Sequence, residues 1–364
     1  MRRNKVEKKI WNIGWGYVSQ CNMNCEFCYS KEVREPLSKL NLDICKQFIN
    51  RNSESISSIN FGTGENSLSD DWFRLVKYIG ENHPHIEIAL TTNGNIYNAC
   101  HDKEKLQIFK NFIKEVDVSL DFIDKDRHNK FRGNSQAYDM AINALCMCKE
   151  YGKQATLVFL GTDEVVEVSN LEGIFGVADK YDAFLRSNIY RPTIGFRDEK
   201  NKFILGFSNL IRALKWISDN HKIIKVSDCL FAAVLFNRKE KDHTGESSIR
   251  ILGDGSITPS TYLIGKKYRK YNIQDNVFLD RINFDEQIDR NWIPKACNGC
   301  KFISKCKGGV LDRRLLWYGT LEERDPYCPL RYKDISISNN IKLSNDNNFS
   351  SVHDGYLPTM FFSS

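Results

Sequence analysis

The chain has no run of about 18 or more apolar residues, and so offers no candidate membrane span. No apolar run follows the basic start Met1-Arg2-Arg3-Asn4-Lys5, so no signal peptide is read there and a cytoplasmic location is expected, with no membrane partner. A strong charge of either sign is also missing. The 52 basic and 46 acidic residues leave +6 over 364 positions, which does not argue for a nucleic-acid partner. What the sequence does hold is cysteine. Seven of its twelve cysteines stand at metal-like spacings, which without a secretion signal favours metal ligation in a reducing compartment over disulfides. With 41% hydrophobic and 27% charged residues, the rest is ordinary for a soluble chain with one or two domains.

The most informative stretch is Cys21-Asn22-Met23-Asn24-Cys25-Glu26-Phe27-Cys28. Three thiolates on one short loop can ligate three irons of a [4Fe-4S] cube and leave the fourth open for a small molecule. A structural zinc site would want four closed ligands. The bulky–small alternation of Trp11 to Tyr17 predicts a strand running into this loop. Strands and helices then alternate about six times up to residue 195, with helices expected over Leu42–Asn50 (capped by Asn41), Trp72–Asn82, Leu106–Lys114, Ala137–Tyr151 and Leu171–Tyr181 (capped by Asn170). That is the pattern of parallel β/α units, whose active sites lie at the strands' C-terminal ends. Several polar groups fall there. Gly62-Thr63-Gly64-Glu65-Asn66 combines glycines, which permit close backbone approach, with a carboxylate that can accept from an ammonium. Ser119 and Asp121 share one face of the next strand, and Arg132 follows.

A second set comprises Cys297, Cys300, Cys306 and Cys328, four thiolates that would close a metal site. Zinc and a [4Fe-4S] cluster both fit, and spacing alone favours zinc. Cys229 stands apart in an apolar stretch and reads as a buried thiol, while Asp254-Gly255 reads as a hairpin turn. From about Asp334 the chain is polar, as a linker is, before the apolar end Tyr356–Phe362, for which docking onto the body is expected.

The first loop, with its aromatic before the third cysteine, resembles the signature of radical S-adenosylmethionine (SAM) enzymes. The similarity extends over about residues 8–330 and through a SPASM-like C-terminal region. The resemblance implies an α/β fold, a partial (β/α)6 TIM-like barrel with a small auxiliary-cluster domain. Domains are expected at 1–209, 210–333 and, for the linker and tail, 334–364. It implies SAM on a [4Fe-4S] cluster held by Cys21, Cys25 and Cys28, with Glu65 meeting the methionine ammonium, Ser119 and Arg132 the carboxylate or ribose, and Phe27 and Gly64 lining the site. It implies an auxiliary [4Fe-4S] cluster on Cys297, Cys300, Cys306 and Cys328. A further auxiliary cluster would need thiolates at Cys229, Ser260 and Val310, so it is not expected. Thr63 replaces a glycine of the family pattern and Asn66 a proline. Thr261 stands where sulfatase-maturing relatives have an aspartate base, so that activity is not expected.

The function implied is reductive cleavage of SAM to a 5′-deoxyadenosyl radical that abstracts hydrogen from a ribosomally made precursor peptide, giving a cross-link, an epimer or an excised residue. The alternatives are oxidation of a small molecule such as a sugar or aminocyclitol, and a non-catalytic iron–sulfur or zinc protein. The expected partners are the precursor peptide, alone or with a separate leader-binding protein, since residues 1–20 leave no room for a peptide-binding domain, and a reductant such as flavodoxin or ferredoxin.

Overall fold

The structure, a computed structural model, describes residues 9–31, 40–193, 202–332, 341–344 and 349–364. Six strands run in chain order: β1 (Trp11–Trp15), β2 (Ile56–Phe61), β3 (Glu87–Thr92), β4 (Glu115–Ser119), β5 (Gln154–Gly161) and β6 (Phe184–Ile189). Each is parallel to its neighbour. Five more strands complete the sheet: β7 (Lys222–Val226), β8 (Ser248–Ile251), β9 (Ser256–Thr258), β10 (Tyr271–Asn272) and β11 (Met360–Ser363). The order is β10-β9-β8-β1-β2-β3-β4-β5-β6-β11-β7. The six parallel units are those that the alternation predicts, in the partial TIM-like barrel that the resemblance implies. Residues 210–333, expected as a separate domain, contribute β7 to β10 to the same sheet.

Local chemistry accounts for the units. The helix Leu42–Asn52 starts where the Asn41 side chain accepts the N–H groups of Asp43 and Ile44, and it buries Cys45, Phe48 and Ile49. In β4, Val116 and Val118 alternate with Glu115, Asp117 and Ser119, so one face packs apolar while the other carries polar groups inward. The helix after β5 is Val168–Lys180, not one capped by Asn170. The Asn170 amide lies inside it, accepts from Ile123 N–H at 3.0 Å and donates to the carbonyls of Asp121 and Val165, both at 2.8 Å. β7 has no counterpart in the sequence reading.

The apolar end of the chain docks. β11 pairs antiparallel with both β6 and β7, between them. The turn Val352–Gly355 before it lies against the inward groups of the barrel. Glu115 accepts from Ser351 Oγ at 2.6 Å and from Val352 N–H at 3.0 Å, and Asn12 of β1 donates to the Gly355 carbonyl at 2.9 Å. His353 is fully buried, with Nδ1 3.2 Å from Glu115 and Nε2 2.9 Å from Asp117, which also pairs with Arg186. The polar linker expected ahead of this turn falls on residues 333–340 and 345–348, outside the described residues.

Burial and the Arg186 charge oppose protonation of His353, but Asp117 and Glu115 outweigh them and raise its pKa. A raised imidazole pKa stabilises the docked tail fully below the unfolded value of about 6.5, and that contribution is lost as pH rises through the folded value. Amide-exchange protection factors over residues 349–364 should therefore fall across that alkaline step and lose their pH dependence in His353→Gln. Protection that does not change with pH in the unaltered chain would remove this role.

Candidate active site

The strand ends open onto one cavity, and most of the residues singled out in the sequence meet on its wall. Cys21, Cys25, Cys28, Phe27, Gly64, Ser119 and Arg132 all line it. The cysteine loop is pinned from behind by the end of the helix Lys125–Arg132. The Arg132 carbonyl accepts the Asn24 N–H at 3.1 Å and the Cys25 thiol at 3.4 Å, and Asn134 donates to the Asn22 carbonyl at 2.8 Å. Gly133 ends that helix with φ +65°; a Cβ there would stand 2.7 Å from the Asn24 carbonyl oxygen, so the approach requires glycine. Asn93 holds the other side, donating to Asn22 Oδ1 at 2.7 Å and to Cys21 Sγ at 3.6 Å. Burial, with smaller contributions from Cys28 and Cys21 and against the opposing pull of Arg132, pushes the Cys25 thiol up to about 11.

Asp121 is the buried base of this arrangement. One oxygen accepts Leu160 N–H of β5 at 2.8 Å and the other takes Arg132 Nε and Nη2, both at 2.6 Å. The guanidinium in turn lies 5.1 Å from the Phe27 ring, which stacks on Phe131 at 4.3 Å. The Asp121 carboxylate therefore sets Arg132 and does not line the cavity.

Glu65 also stands behind the wall. It is fully buried, and its oxygens accept from Ser67 Oγ at 2.6 Å, Thr92 Oγ1 at 2.9 and 3.0 Å, and Asn93 N–H at 2.8 Å. In this arrangement the carboxylate ties the turn after β2 to the end of β3 and does not face the cavity, unlike the ammonium contact expected. The turn itself is tight. Thr63 has φ +79° and Gly64 φ +69°, so the threonine that replaces a glycine sits where a branched residue is strained. Thr63 Oγ1 lies 2.7 Å from the Tyr29 hydroxyl. A Cβ on Gly64 would meet the carbonyl oxygens of Val18 at 2.4 Å and Gln20 at 2.6 Å.

The second cysteine set lies around the short helix Ile303–Cys306. Burial pushes the Cys306 thiol up to about 11, against the Gly308 N–H that it accepts and with smaller contributions from Cys297, Cys300 and Cys328. Four cysteine thiolates suit either a closed tetrahedral zinc site or a [4Fe-4S] cube. Asp325 organises this region: it accepts the N–H groups of Val310 at 3.0 Å and Tyr327 at 2.9 Å, and it pairs with Arg313, which also pairs with Asp228. Asp228 caps the helix Cys229–Phe236, and Cys229 is a buried thiol, as its apolar context predicts.

Tyr29, Asn93, Tyr190, Arg191 and Tyr262 line the cavity as well, and the sequence reading assigned none of them. Arg191 carried a usable signal, since it stands two residues beyond β6 at a strand end.

Residues 17–167 match the model of the Radical SAM superfamily. Over 336 residues the chain is 21% identical to mycofactocin maturase MftC of Mycobacterium ulcerans, covering 88% of each. Over 369 residues it is 29% identical to the Fe-coproporphyrin III synthase of Methanosarcina barkeri, covering 89% of this chain and 88% of that one. Its fold is similar to that of Streptococcus suis SuiB bound to SAM, with a TM-score of 0.70 at 17% identity over 88% of this chain and 77% of that one. SuiB has also been solved bound to its precursor peptide SuiA. No described helix is long and apolar enough to cross a membrane.

Gly64→Ala should lower stability by about 1–3 kcal/mol, the cost of a side chain in a strained left-handed conformation, in denaturant titration. Gly176→Ala, on a helix where a Cβ meets nothing within 4 Å, should instead raise it by up to about 1 kcal/mol. Equal effects at the two sites would remove the claim that the turn is held tight.

Proposed function

We propose that the chain is a radical SAM enzyme, the superfamily whose model matches residues 17–167, and that it modifies a ribosomally made precursor peptide. The observation that carries this reading is the single cavity in which three loop cysteines stand beside strand-end polar groups. A protein that only carried electrons would not need such a wall. A peptide substrate is supported by the similarity to the maturase MftC and by the fold shared with SuiB, which binds a precursor peptide. A second reading, oxidation of a small molecule, draws on the 29% identity to Fe-coproporphyrin III synthase.

The family uses SAM with a [4Fe-4S] cluster, which together supply a 5′-deoxyadenosyl radical. In our reading Cys21, Cys25 and Cys28 hold that cluster. Arg132, fixed by Asp121, offers its remaining edge to the SAM carboxylate or ribose, with Ser119 beside it. Phe27 lines the adenine side and the Gly64 backbone permits close approach. Glu65 serves as a positioning residue through Thr92 and Asn93. Cys297, Cys300, Cys306 and Cys328 would hold one auxiliary [4Fe-4S] cluster, since four thiolates close such a site. A reductant of the flavodoxin or ferredoxin class would supply electrons.

Replacing Cys21, Cys25 and Cys28 together by alanine should abolish 5′-deoxyadenosine formation while iron remains at the other site; formation at the original rate would overturn the assignment. Arg132→Ala should raise the SAM Kd roughly tenfold or more, since a hydrogen bond to a charged group is worth about 1.5–3 kcal/mol. Anaerobic reconstitution should give about eight irons per chain, from two four-iron clusters. About four irons with one zinc would instead make the C-terminal set a zinc site. Co-expression with a short peptide encoded beside this gene should change the peptide's mass, and an unchanged peptide would favour the small-molecule reading.

A further inference from the structure

Besides Arg132, the cavity has a second cation in its wall. The Arg191 side chain is only 1% exposed, as is that of its partner Asp312. Its Nε donates to Asp312 Oδ1 at 3.0 Å, and Nη1 to the Ile189 carbonyl at 3.4 Å. The guanidinium carbon lies 4.6 Å from the Tyr262 ring centroid, and Tyr262 lines the same cavity. The remaining nitrogen, Nη2, is buried and has no hydrogen-bond partner among the described residues. A guanidinium carries five donors in a rigid fork, and burying one unmatched is unfavourable unless something arrives to accept from it.

The charges around it point to the sign of that acceptor. Among the described lining residues the only side chains with a formal charge at neutral pH are Arg132 and Arg191; no aspartate or glutamate faces the cavity. Both Nε and Nη2 of Arg132 are turned to Asp121. Asp312 binds Arg191 from behind, and its second oxygen accepts from Ser260 Oγ at 2.6 Å. Asp312 is the second residue of the helix Leu311–Tyr318, which Val310 precedes. Ser260 and Val310 are the two positions at which the family pattern would place cluster thiolates. In this chain the same segments carry the hydroxyl and carboxylate that aim an arginine.

We propose that Arg191 receives a carboxylate of the substrate, so that the peptide presented to this site carries an anion near the position modified. The inference rests on the peptide reading above. A planar fork with a free N–H matches carboxylate geometry, and the Tyr262 face and Asp312 fix its plane before the substrate arrives. The anion is either an acidic side chain or a chain-terminal carboxylate, and both present the same two oxygens.

The test uses the anaerobically reconstituted enzyme with SAM and three probes: acetyl-Gly-Glu-Gly-amide, acetyl-Gly-Gln-Gly-amide, and acetyl-Gly-Gln-Gly with a free C-terminus. Affinities are read by saturation-transfer NMR. One of the two anionic peptides should bind about tenfold or more tighter than the neutral amide, and which one does so identifies the source of the carboxylate. The double variant Arg191→Gln with Asp312→Asn keeps the pair hydrogen-bonded without burying a lone charge, and should bring all three peptides to the same affinity. Arg191→Lys keeps the charge without the fork and should retain only part of the preference. Equal binding of the three probes by the unaltered enzyme, or a preference that survives the double variant, overturns the proposal. If the co-expressed precursor changes mass although no such preference exists, Arg191 alone loses its role. An unchanged precursor removes the peptide reading itself.

Discussion

A charge taken out of water needs its opposite close by, and this chain meets that demand at every functional joint. Asp121 with Arg132 sets the cysteine loop against β4 and β5. Asp117 with Arg186 and His353 binds the C-terminal turn into the barrel. Asp312 with Arg191 shapes part of the cavity wall, and Arg313 between Asp228 and Asp325 holds the second cysteine region together. The side chains in these pairs are at most 12% exposed. Breaking one such pair by removing a single partner costs about 3–5 kcal/mol, because the other charge is left stranded. Replacing both partners by well-packed apolar groups can cost nothing, so the pairs are better understood as devices that fix one geometry than as sources of stability.

Much of this arrangement was legible in the sequence because it is local. The β/α alternation shows in hydrophobic periodicity, and the cysteine spacing shows directly. Asn41 behaves as a cap because the residues it caps are its neighbours. Asn170 looked like the same kind of residue, but its amide is occupied by partners as far away as Asp121 and Ile123. Glu65 shows the same limit. Its motif marks the correct turn, but the direction of the carboxylate is set by Thr92 and Asn93, which come from another strand. Arg191 had no motif around it, and its importance depends on Asp312, 121 positions later. Long-range pairings of this kind leave no periodic trace.

The departures from the family pattern also acquire a physical meaning. Ser260, Val310 and Cys229 read in the sequence as missing or leftover ligands. In the fold they belong to a continuous polar and apolar fabric: Ser260 holds Asp312, the Val310 N–H is satisfied by Asp325, and Cys229 opens the helix that Asp228 caps. The positions that the family pattern gives to cluster ligands here take part in hydrogen bonds within the protein.

The position of β11 has a consequence for how the molecule reaches this state. Thr359, beside that strand, bonds to Ser187 across 172 residues of sequence. Contacts this distant form late, since the ends of a long loop must first be brought together. The parallel strands β1 to β6 join near neighbours and can assemble early, but β6 and β7 cannot pair with each other. They must stay one strand-width apart until β11 enters between them. During that interval each exposes an unpaired edge, and such edges recruit strands from other chains. The insertion of four residues would therefore end one period of exposure to aggregation.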